Sequence, residues 1–169
     1  DTLFASIEDT DPEPYVDRSD THIADFYTLV SPPDIFRTRD VIDTPLDAIF
    51  SLPASGTPQE IKLQGYTISQ DELVAGDIIF VTLYWQALQQ ASEDYEVFVQ
   101  ILDGRGEVVG STHDFPYNGM YRSRIWKTDE LTSTHHWLKL SDELPVGRYT
   151  LNTGLYRMLH NEPLHVEGT

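Results

Sequence analysis

Three stretches of alternating residues carry the side chains best suited to bind a ligand. In 78–88, Phe80, Tyr84 and Gln86 alternate with the apolar set Ile79, Val81, Leu83, Trp85 and Ala87. In 95–103, Glu96, Phe98 and Gln100 alternate with Tyr95, Val97, Val99 and Ile101. Asn152 and Tyr156 hold the matching positions in 148–158, opposite Tyr149, Leu151 and Leu155. Aromatic rings stack on the C–H faces of sugars, and amides and carboxylates take the hydroxyls, so this mixture suits carbohydrate. If the first two strands pair, Phe80, Tyr84, Gln86, Glu96, Phe98 and Gln100 share one face, which Asn152 and Tyr156 join. Large exposed apolar patches are unusual on a monomer. That favours cover of this face by residues 1–44 or by a neighbouring domain, and a docking role for it.

A second constellation lies in the irregular stretch 114–132, which holds Tyr117, Tyr121, Arg122, Arg124 and Trp126. Long ordered loops often carry function. Arg122 and Arg124 suit a carboxylate or phosphate through bidentate hydrogen bonds, with Tyr121 and Trp126 as stacking walls. The competing expectation is that Trp126 plugs an open end of the fold and the arginines neutralise nearby acids.

Other chemistry finds less support. His113-Asp114 and His135-His136 offer metal donors, but neighbours on a strand point to opposite faces, and no third ligand stands at a recognised spacing. No metal is therefore expected. Hard oxygens at Asp9, Asp11 and Glu13, and at Asp40 and Asp43, fit no Ca²⁺ loop with its glycine and terminal glutamate. A structural Ca²⁺ at a loop stays open, and no other cofactor is expected. There is no Gly-x-Ser-x-Gly elbow and no glycine-rich phosphate loop. Paired-acid glycosidase chemistry usually needs a cleft deeper than a small sandwich provides.

The elements that position these residues are strands. Period-two alternation and turn chemistry place them at 46–52, 61–69, 78–88, 95–103, 107–113, 133–140, 148–158 and 164–166. Asp103-Gly104-Arg105-Gly106 reads as a tight hairpin. About eight short strands with no βαβ unit predict an all-β fold. It is an antiparallel β-sandwich, Ig-like or jelly-roll-like, over residues 45–169. Residues 1–44 are acidic, bear proline and lack a sustained period, which predicts an irregular N-terminal arm partly packed on the domain. Within it, 22–30 is the best local element, either a short helix or a strand.

The run Ile61-Lys62-Leu63-Gln64-Gly65-Tyr66 has a familiar continuation. It comprises Val74-Ala75-Gly76-Asp77, residues 81–87 (VTLYWQA), 95–103 (YEVFVQILD), His113-Asp114, 121–126 and 144–156 (LPVGRYTLNTGLY). This pattern resembles the soluble β-sandwich domain found C-terminal to the multi-span region of bacterial glycosyltransferase-like membrane proteins. The resemblance covers about residues 45–166. It implies an extracytoplasmic, periplasmic or cell-surface location, tethering through a parent protein, and a non-catalytic accessory role, with glycan or a neighbouring domain as partner. It carries over no catalytic residues.

The bulk chemistry narrows the partners. The net charge of −17 repels nucleic acid and anionic membrane surfaces, whose binding needs cationic residues. No apolar run reaches the ~18 residues that would span a bilayer, so no direct membrane insertion is expected. The absence of Cys excludes disulfides and thiolate metal sites. A chain opening at Asp1 reads as a piece of a longer protein. The expectation is thus a non-catalytic accessory module that binds carbohydrate. The alternative is a structural or protein-interaction domain with no small ligand.

Overall fold

The computed structural model describes residues 13–16, 22–26, 42–52, 58–69 and 74–167. The chain divides into two compact units, Asp1–Arg37 and Thr38–Thr169. In the first, strands β1 (Glu13–Val16) and β2 (His22–Phe26) pair antiparallel. Of the helix and strand alternatives for 22–30, the strand is therefore found at His22–Phe26. The expected packing of residues 1–44 on the sandwich lies outside the described residues.

The second unit is an antiparallel β-sandwich. Its strands are β3 (Thr44–Ser51), β4 (Gln59–Ile68), β5 (Ile78–Ala87), β6 (Glu96–Leu102), β7 (Val108–Asp114), β8 (Leu131–Lys139), β9 (Thr150–Arg157), β10 (Glu162–Pro163) and β11 (His165–Glu167). One sheet has the order β11-β3-β4-β5-β8, the other β10-β9-β6-β7. The β6–β7 hairpin turns at Asp103, whose Oδ1 accepts the N–H groups of Arg105 at 2.8 Å and Glu107 at 2.9 Å. Gly106 supplies the φ of +82° that ends this turn.

The apolar alternating sets face inward. Ile79, Val81, Leu83, Trp85 and Ala87 of β5 meet Val97, Val99 and Ile101 of β6 and Leu155 of β9, all buried. Phe50 packs edge-on against Trp85 at 5.7 Å. Large side chains of this kind each contribute about 1.5–3 kcal/mol on burial.

One expectation is overturned. β5 and β6 do not pair. β5 lies between β4 and β8, and β6 lies in the opposite sheet between β9 and β7. Alternation specifies which face of a strand is apolar and is silent on the neighbour. Residues 88–95 offer no two-residue turn; they cross the end of the sandwich and bury Ala91 and Tyr95.

β4 bends at a register shift between Leu63 and Gly65. Gly65 has φ +155°, and a Cβ there would stand 2.4 Å from the carbonyl oxygen of Thr44 and 2.3 Å from Ile42. The backbone of β3 cannot yield that space without losing its pairing. Gly65→Ala should cost about 3 kcal/mol, read as a lower urea midpoint with an unchanged m-value.

Candidate functional site

The separation of β5 from β6 splits the eight residues expected on one face. Phe80, Tyr84 and Gln86 belong to the five-stranded sheet; Glu96, Phe98, Gln100, Asn152 and Tyr156 belong to the four-stranded one. On the latter, Glu96 opposes Tyr156 and Gln100 opposes Asn152. The Asn152 amide donates to Gln100 Oε1 at 3.0 Å. Phe98 stacks on His113 at 5.8 Å, and His113 meets Tyr156 edge-on at 6.0 Å. The Tyr156 hydroxyl donates to Asn161 Oδ1 at 2.7 Å. On this face every one of these side chains but Glu96 is engaged by a neighbour.

The outer face of the five-stranded sheet differs. Tyr84, which alternation puts on this face, is 3% exposed, its hydroxyl 3.2 Å from Thr67 Oγ1. Gln86 accepts a hydrogen bond from Gln64 Nε2. Phe80 is 58% exposed, and its cross-strand partner Trp137 is 68% exposed. One step along, Thr82 Oγ1 lies 3.2 Å from His135 Nδ1. Trp137 was missed in the sequence, although parity marks it: it shares the outward set of β8 with His135 and Lys139 and alternates with His136 and Leu138.

The loop between β7 and β8 closes one end of the sandwich. Of the two readings, stacking walls or a plugged end, the burial of Tyr121 and Trp126 at 5% and 2% exposure matches the plug. The Tyr121 hydroxyl donates to the Glu130 carboxylate, with oxygens at 2.7 and 2.9 Å, and Trp126 Nε1 donates to the Tyr121 carbonyl at 3.0 Å. The Lys127 amide donates to Glu130 Oε2 at 2.8 Å. Beside them, Tyr95 donates to Glu60 Oε2 at 2.6 Å. Burial, and then this carboxylate, push the Tyr95 phenol pKa up. Ser123 ties the loop to the β5–β6 crossover, accepting from the Tyr95 amide at 2.9 Å and donating to the Glu93 carbonyl at 3.1 Å. Glu60 and Ser123 were not legible as partners, because they sit 35 and 28 residues from Tyr95; Glu130 is nine residues from Tyr121, but no periodicity marks that pair.

Arg122 and Arg124 do come together, over an exposed groove. Arg122 faces Asp94 at 3.6 Å and lies 4.6 Å over the Phe115 ring. Adjoining depressions of about 340, 390 and 500 Å³ share Arg124. Met158 and Leu159 form an exposed apolar wall. Glu93 behind it binds Arg157, whose guanidinium holds the carboxyl below the usual carboxylate range.

His135 is exposed and His136 is buried, on opposite faces of β8. Among the described residues no three His, Cys, Asp or Glu side chains gather around one point. The acidic segments 9–13 and 40–43 fall largely outside the described residues. No family model, curated protein or solved structure matches the chain.

Two predictions follow from these buried polar groups. Glu130→Ala strips acceptors from the Tyr121 hydroxyl and the Lys127 amide and should cost about 2–4 kcal/mol. Tryptophan emission should shift to the red as Trp126 gains water, and Glu130→Gln should lose less. His136 Nε2 lies 2.9 Å from Thr134 Oγ1, while its buried Nδ1 has no partner among the described residues. Burial pushes its pKa down to about 4 from 6.5. The unfolded chain therefore takes the proton first, so stability is full above pH 6.5 and falls as pH drops toward 4, by about 3 kcal/mol in all. Urea melts at pH 7 and pH 5 should show this loss, and His136→Gln should flatten it.

Proposed function

We propose that the sandwich is a non-catalytic accessory module that binds carbohydrate, outside the cytoplasm and attached to a glycosyltransferase-like membrane protein. The observation that carries the reading is the exposed cross-strand pair Phe80–Trp137. Cross-strand partners hold their Cβ atoms about 5 Å apart, so the two rings make one apolar strip on a rigid sheet. A sugar presents its C–H face to such a strip. Beside it, Thr82 and His135 form a cross-strand polar pair at 3.2 Å.

A rigid sheet needs no ordering on binding, which lowers the entropic cost. The non-catalytic role is supported by the use of the buried carboxylates. Glu60 and Glu130 are each hydrogen-bonded to a tyrosine inside the closed end. The strongly acidic chain leaves neutral glycan as a fitting partner, where nucleic acid is repelled. The motif resemblance over residues 45–166 supports the location and the tethering.

A second reading, a protein-interaction domain with no small ligand, draws on Met158 and Leu159. Leu159 is 90% exposed beside the arginine groove, as a docking surface would be.

A glycan-array screen of the wild type beside Trp137→Ala tests the proposal. Trp137 is exposed, so its removal should change stability by no more than about 0.5 kcal/mol. Retained glycans should lose at least about tenfold in affinity, equal to about 1.4 kcal/mol. Wild-type binding that Trp137→Ala leaves unchanged would remove the platform from the site. The absence of any glycan binding would turn the search to a protein partner.

A further inference from the structure

We infer that the groove around Arg124 is a second binding site, for a single anionic group, carboxylate or phosphate, carried by a sugar. The sugar part rests on the function proposed above; the anion part does not. The site lies far from the Phe80–Trp137 pair. Phe80 stands seven residues before Ala87 on β5, about 23 Å at strand spacing, and the groove begins beyond Ala87 at Gln90.

The charges of the groove leave Arg124 with no acid of its own. Asp94 is engaged by Arg122 at 3.6 Å and by the Arg124 amide at 3.4 Å. Glu93 is engaged by Arg157 and lies 3.5 Å from His160. The Arg124 backbone is fixed on both sides, since its carbonyl also accepts from Gln90 Nε2 at 3.3 Å. Its guanidinium has no hydrogen bond or ion pair among the described residues, and neither has the Lys127 ammonium in the adjoining depression. Arginine presents a planar fork that matches carboxylate and phosphate oxygens. Here it is held out over a groove by a loop whose own tyrosine and tryptophan are locked inside.

The apolar wall sets the rest of the ligand. Phe115, Met158 and Leu159 line one side and Ile125 the other. An anion with an apolar face, such as a sugar bearing one charged substituent, satisfies both. The overall charge of −17 argues for one charge only. A polyanion would feel the whole acidic surface. A lone charge at Arg124 is shielded from it beyond about 8 Å at physiological salt.

The test is an amide NMR titration of the full chain with glucuronic acid, glucose 6-phosphate and glucose as probes. Both anions, or one of them, should shift the amides of residues 122–127 and 159, and glucose should not. Arg124→Gln should weaken the anion response about tenfold or more. Lys127→Gln should weaken it less, guarding against a local rearrangement in the first variant. A response to uronate alone or phosphate alone would name the group. Anions that act no more strongly than glucose, or equally on Arg124→Gln, would overturn the inference. The fate of the platform is read separately, from a neutral oligosaccharide at the amides of residues 80–82 and 135–137. Either proposal can thus fail while the other stands.

Discussion

A buried carboxylate governs the closed end of this sandwich. Glu130 is 6% exposed, and a charge removed from water costs several kcal/mol unless donors surround it. The Tyr121 hydroxyl and the Lys127 amide are those donors. To deliver them, the chain between β7 and β8 must double back on itself. It does so through a tight turn in which Tyr117 and Asn118 both adopt φ +52°. Glu60 imposes the same demand from β4, met by Tyr95 and by the Ser92 amide at 3.2 Å. Both acids flank the end of β5: the Ala87 amide bonds the Glu130 carbonyl, and the Leu88 amide bonds the Glu60 carbonyl. The sheets, the crossover and the loop are therefore fixed to one another at a single place.

That place determines what the surface can offer. With Tyr121 and Trp126 drawn inward, the loop presents its arginines and short apolar side chains outward. With Tyr84 covered on the outer face, the open aromatic surface on the five-stranded sheet narrows to Phe80 and Trp137. The two exposed features lie toward opposite ends of β5. Each stands on backbone that the core holds still.

The strands and their faces were legible in the sequence because burial of alternate residues leaves a period of two. The set Ile79 to Ala87 is buried as the alternation requires. Sheet membership was not legible. Val97 and Val99 would look the same whether β6 paired with β5 or faced it across the core. Burial of tyrosines failed for a related reason. A hydroxyl lets Tyr121 enter the interior and Tyr84 be covered when a partner waits there, and no spacing in the sequence marks Glu130 or Thr67 as that partner. Trp137 was readable, since it alternates with His136 and Leu138, but a tryptophan within a strand is easily taken for core.

The last strands have a further consequence. β11 covers the free side of β3 and β10 covers the free side of β9, so residues 162–167 close one margin of each sheet. They are only two and three residues long, and Pro163 has no N–H to offer. An uncapped strand as long as β3 or β9 is a template on which another chain can add. A proteolytic cut before Glu162 would expose two such templates at once. The opposite margins, β8 and β7, are nine and seven residues long and carry no such cover among the described residues, so residues 162–167 make the two margins of each sheet unequal.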